Sequence, residues 1–64
     1  MIDAHKLGKE ARDRNSNADL NPFKENSMNN IYWLEGWVSR DIQLFKESGL
    51  TKEQWRRLME RKLK

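Results

Sequence analysis

Trp33-Leu34-Glu35-Gly36-Trp37 decides how this 64-residue chain is read. Its two tryptophans lie four residues apart, one helical turn. A glycine sits beside them where a helix interior loses about 1 kcal/mol relative to alanine. Such a glycine implies that another backbone, or an aromatic ring, passes close by. The pair is then either a packed core corner or a stacking platform for a partner.

Working outward, residues 28–48 read as one long helix with Ser27 as its N-cap. Ile31, Leu34, Val38, Ile42 and Phe45 make one stripe, which Trp33, Trp37 and Leu44 widen to nearly half the circumference. One short helix cannot cover so wide a face. Either a C-terminal helix folds back onto it or a second subunit does. Gly49 fits the left-handed residue that closes a helix, with Leu50 as the accompanying hydrophobic contact. Thr51-Lys52-Glu53-Gln54 then fits a capping box, and Leu50 with Trp55 fits a hydrophobic staple. These signals predict a third helix over 52–62, with Trp55, Leu58, Met59 and Leu63 on one side, packed back on the central helix. Arg56, Arg57, Arg61 and Lys64 spread over the rest.

On the N-terminal side, residues 3–14 read as a first helix capped by Asp3, with Ile2 and Leu7 as a staple. Ala4, Leu7, Gly8 and Ala11 fall at inward spacing. They are small apart from Leu7, so a neighbouring helix can approach closely. Lys6, Lys9, Glu10, Arg12, Asp13 and Arg14 are expected to face water. Between the helices, residues 15–26 hold four asparagines, an aspartate and the only proline. They read as a loop, with Asn21 before Pro22 biased to extended backbone. Leu20 and Phe23 are expected to tuck into the core and pin it. The fold class is all-α: a helical hairpin joined by an Asn-Pro-Phe loop plus a short C-terminal third helix, one domain over 1–64, without repeats or strands.

Composition narrows the function classes. The chain has no cysteine and one histidine, His5, so no disulfide, thiolate site or ordinary zinc site can form. His5 reads as a surface or capping residue without the positioned partner a general base needs. Glu35 and Asp41 point to different sides of the helix and read as solvated. No glycine-rich phosphate loop or nucleophile constellation is present, so the expectation is no enzyme, no cofactor and no metal. No apolar run approaches the roughly 18 residues that span a membrane. The N-terminus lacks the pattern of a signal peptide. A cytoplasmic location without membrane contact is expected. A chain this small has a thin stability margin, which makes a homodimer or an obligate protein partner a real option.

The formal net charge is only +3, but its distribution is uneven. Lys52, Arg56, Arg57, Arg61, Lys62 and Lys64 face only Glu53 and Glu60 within residues 51–64. A basic end of this kind attracts phosphate backbones or acidic protein surfaces. An exposed ring among Tyr32, Trp33 and Trp37 would add base stacking.

Ala4-His5-x-x-Gly8-x-x-Ala11, then Asn21-Pro22-Phe23, then Trp33-Leu34-x-Gly36-Trp37 resembles the ribosome modulation factor family of bacteria over roughly residues 4–40. Members of that family are short helical hairpins that bind the small ribosomal subunit near the 3′ end of its RNA. They promote inactive ribosome dimers in starved cells. The same small fold also occurs in phage-borne and plasmid-borne proteins. The resemblance implies a non-enzymatic protein that modulates translation and contacts ribosomal RNA through Lys6, Lys9, Arg12, Arg14 and Lys24. It further implies that Gly8, Ala11, Pro22, Trp33, Gly36 and Trp37 hold the helix pair together. Arg56, Arg57, Arg61 and Lys64 of the third helix would add phosphate contacts. The alternative is a small protein-binding regulator or inhibitor, of phage or mobile-element type, that uses the apolar face of the central helix.

Overall fold

Three helices follow in order: α1 (Ala4–Asp13), α2 (Met28–Ser48) and α3 (Lys52–Lys62), with a short 3-10 turn at Ala18–Leu20 between the first two. They come from a computed structural model that describes residues 2–63. Each helix start is set by a side chain that accepts from an otherwise unpaired backbone amide. Asp3 accepts from the Lys6 amide, Ser27 from the Asn30 amide and Thr51 from the Gln54 amide. At α3 the capping box is complete, because the Gln54 side chain accepts from the Thr51 amide in return. Gly49 closes α2 in the left-handed region, at φ 72°. Removing the Thr51 hydroxyl by Thr51→Ala should lower stability by about 1 kcal/mol. Far-UV circular dichroism during urea titration measures that loss.

α1 lies across α2, and their backbones come together at two glycines. A Cβ added at Gly8 would overlap the Trp33 carbonyl and come within 2.9 Å of the Trp37 amide nitrogen. A Cβ added at Gly36 would overlap the His5 carbonyl. Gly8 and Gly36 therefore face each other's helix, and no other residue fits at either place without moving backbone. Trp33 and Trp37 flank this crossing and are 3% and 9% exposed. With Ala4 and Ala11 they form the core, and Ala18, Phe23 and Leu63 pack against it. The row Ala4, Gly8, Arg12 on α1 meets the row Trp33, Trp37, Asp41 on α2; both have i, i+4, i+8 spacing, as in ridge-into-groove packing.

Several side chains do not lie where the sequence places them. Leu7 is exposed, because the inward row runs through residues 4, 8, 11 and 12 and leaves position 7 at its edge. Leu20 is 61% exposed and does not tuck into the core, whereas Phe23 packs against it. Pro22, expected to help hold the helix pair, is exposed. Hydrogen bonds pin the loop as well. The Asn21 side chain accepts from the Phe23 amide and donates to the Asn30 carbonyl, while Asn30 donates to the Phe23 carbonyl. The Trp37 indole N–H donates to the Ser16 carbonyl at 2.8 Å. Asn15 and Asn26 take positive φ at the two ends of the loop, a conformation asparagine tolerates better than most residues.

α3 turns its Trp55 and Met59 side inward onto the hairpin, as expected, but covers only the C-terminal end of the α2 stripe and not Ile31, Leu34 or Val38. It meets the C-terminal half of the hairpin, where Trp55 tilts against Phe45 at 5.7 Å between ring centroids and Met59 is buried against α1's Arg12. The outward stripe of α2 stays open: Ile31, Leu34, Val38 and Ile42 are 36–46% exposed. Tryptophans carry 150–250 Å² of buriable surface each, and only the glycine side of α2 admits a second backbone. The aromatic row is therefore buried, and the aliphatic row faces out.

Candidate nucleic-acid interface

Arg12 is the largest correction at the expected RNA surface. Read from sequence as a water-facing phosphate ligand, it is 2% exposed and lies at the meeting point of all three helices. Its Nε donates to the Asp41 carboxylate at 2.7 Å and its Nη1 to the Asn15 side-chain oxygen at 3.2 Å. Its Nη2 abuts the Met59 sulfur. The guanidinium also lies 5.6 Å from the Trp37 ring centroid and 5.7 Å from that of Trp55, within the range of a cation–π attraction. Asp41, expected to be solvated, is its counter-ion. Arg12 thus joins α1, α2 and α3, and its charge is not offered to a ligand.

The signal for this was present in the sequence. Arg12 stands one turn beyond Gly8, and Asp41 one turn beyond Trp37, each continuing the row that packs. A charged residue at such a place is ordinarily assigned to solvent, because a buried charge must have its partners ready. Here Asn15, Asp41, Met59 and two indole rings supply them.

Of the remaining basic residues, Lys6, Lys9, Arg14 and Lys24 are exposed on α1 and the loop, and Arg56, Arg57 and Arg61 are exposed on α3. Lys64 lies outside the described residues. Among the described residues the ion pairs are Arg12–Asp41 and Arg40–Asp13, so the three α3 arginines carry no carboxylate partner. Arg57 and Arg61 are one turn apart and edge a shallow groove with Leu50, Gln54 and Leu58. Arg40 is engaged with Asp13 at 2.6 Å. The hydrogen bond that Arg40 donates to the Asp13 carboxylate holds the Arg40 pKa above its ordinary value.

The aromatic candidates separate clearly. Trp33 and Trp37 lie in the core with Gly8, Ala11 and Gly36, and Phe23 packs against that core. Neither tryptophan face is open for stacking. Tyr32 is 44% exposed and borders a shallow depression with Ile2, Asp3, His5 and Asn29. Among the described residues there is no group of three side chains able to hold a metal ion, and no helix is long and apolar enough to cross a membrane.

Fold and surface together define a small all-α protein with a glycine-mediated helix crossing, a basic third helix and an open aliphatic stripe on its central helix. The sequence matches no family model, and comparison with curated proteins and solved structures finds no match.

Proposed function

We propose that this chain is a non-enzymatic, cytoplasmic RNA-binding protein that acts at the ribosome and modulates translation, in the manner of the ribosome modulation factor family it resembles. The observation that carries the proposal is the run Arg56, Arg57, Arg61 on α3, exposed and without a carboxylate partner among the described residues. Unpaired guanidinium groups at helical spacing suit the phosphates of a nucleic-acid backbone, which they can bind bidentately. Lys6, Lys9, Arg14 and Lys24 extend the basic surface, and Tyr32 offers the one exposed aromatic ring of the described residues for a base to stack on. Arg12 is left out of this surface because it is buried.

The test is binding to ribosomal subunits and to a single-stranded RNA, measured across a salt series. Replacing Arg56, Arg57 and Arg61 together by glutamine should weaken binding. It should also flatten the log–log salt dependence by about 2, since each lost contact to a single strand removes about 0.7 from the slope. Unchanged affinity and slope would remove α3 from the interface.

The open aliphatic stripe of α2 favours a second reading, a regulator directed at another protein. A pull-down from bacterial lysate, split into RNase-treated and untreated halves, separates the two. Ribosomal subunits recovered only without RNase support RNA binding, whereas one protein recovered equally from both supports the second reading.

A further inference from the structure

The aliphatic stripe of α2 has a property that a partner-binding face does not require. Ile31, Leu34, Val38, Ile42 and Phe45 are spaced three, four, four and three residues apart, so the series reads the same from either end about Val38. We propose that this face is the interface of a two-fold homodimer, in which α2 packs antiparallel on α2 of a second copy with Val38 at the axis. In a two-fold contact residue i meets j while j meets i. Centring on Val38 places Leu34 against Ile42, Val38 against itself, and Ile31 beside the half-buried Phe45 that Trp55 of α3 already packs against, with no polar residue left inside the stripe.

Three further observations select this occupant and this orientation. The first is the poverty of the core. Ala4, Ala11, Trp33, Trp37 and Met59 are its only buried hydrophobic residues among those described. Chains of this size without disulfides or metal commonly gain stability by association. The second is charge. Glu35 and Lys46 are eleven residues apart, close to three full turns, so they lie on the same margin of the stripe. Antiparallel pairing runs each margin beside the same margin of the other copy, which brings Glu35 toward the partner's Lys46. It also sets the helix macrodipoles in opposition, where a parallel pair would align them. The third is shape. Ile31, Leu34 and Val38 line a shallow groove edged by His5, Glu35 and Ser39. The register places the other copy's exposed Ile42 over that groove, with Phe45 and the Trp55 that packs on it at the groove's end. The same contact forms twice, once at each end of the interface.

The absence of cysteine makes the test direct. Sedimentation velocity of the full chain over a concentration series should reach twice the 7.7 kDa monomer mass. Val38→Glu, which sets two like charges on the axis, should hold the chain at the monomer mass. Its circular dichroism should stay unchanged, because Val38 is 45% exposed in the single chain. Under mild oxidation Val38→Cys should form a disulfide-linked dimer. Ile31→Cys should not, because its two copies would lie about 21 Å apart along the axis, far beyond the roughly 7 Å that a disulfide spans between Cα atoms.

Cross-linking of both cysteine variants would indicate a parallel pair and overturn the antiparallel register. A wild-type chain that stays at 7.7 kDa throughout, or a Val38→Glu variant that stays dimeric, would overturn the assignment of this face to a second copy. The outcome is independent of RNA binding, which the arginine variant reads separately.

Discussion

Gly36→Ala lowers the stability of this protein, although the same change in a free helix raises it. In an unpacked helix alanine is favoured over glycine by about 1 kcal/mol. Here the added methyl would overlap the His5 carbonyl, which belongs to α1's backbone and cannot rotate away. Relief requires the helices to separate, and separation loosens Trp33 and Trp37 on either side. Inserting a carbon into a packed site of this kind costs about 1–3 kcal/mol, occasionally more. A chain of this length has roughly 3–10 kcal/mol in total, so a net loss of about 2 kcal/mol is a large fraction of it. Gly8→Ala meets the Trp33 carbonyl and Trp37 amide and should behave alike. The double variant should lose less than the two single losses together, because once the helices have moved apart the second methyl finds room. Urea denaturation followed by tryptophan fluorescence reads all three. A higher midpoint for Gly36→Ala would mean that the helices do not approach there.

This prediction rests on the part of the structure that was most legible in the sequence. A glycine between two tryptophans implies a close neighbour whatever that neighbour is. The helix ends were legible for a similar reason: Ser27, Gly49 and Thr51 act through local geometry that a short window of sequence contains. What a short window lacks is the choice between two adjacent faces of α2. Counting aliphatic residues favours the Ile31–Val38–Ile42 row as the buried one. The structure buries the Trp33–Trp37–Asp41 row, because α1 approaches only where Gly36 allows. Leu20 was misplaced for the opposite reason. A hydrophobic residue among asparagines looks like an anchor, yet the asparagines themselves hold the loop through Asn21 and Asn30. The basic residues of α3 lie on the surface as their pattern suggests. Arg12 does not: its place one turn beyond Gly8 continues the packing row, but a charge at such a place is ordinarily assigned to solvent because most of its partners lie far away in sequence.

Arg12 carries the second large expected effect, and the two halves of its ion pair should respond unequally. Asp41→Ala leaves a guanidinium buried with only Asn15, the Met59 sulfur and two indole faces around it. Breaking a buried pair in this way costs about 3–5 kcal/mol; the rings and Asn15 place the expected loss near the lower end. Arg12→Met leaves the carboxylate instead. Asp41 is 25% exposed, so water can take over part of its solvation, and methionine keeps much of the arginine's volume. The expected loss is about 1–2 kcal/mol, drawn from the cation–π contacts and the Asn15 bond. Arg12→Met combined with Asp41→Leu removes both charges and should be more stable than Asp41→Ala alone, since apolar replacement of a buried pair is often neutral. Adding salt should change the losses little, because a buried pair is poorly screened. Equal losses for Asp41→Ala and Arg12→Met would instead mean that the rings, and not the carboxylate, hold the arginine in place. The same variants bear on function: Arg12→Met, where it remains folded, should bind RNA as tightly as the unaltered chain. A charge enclosed by three helices holds the fold together, and on the proposed reading phosphate contacts fall to the arginines of α3.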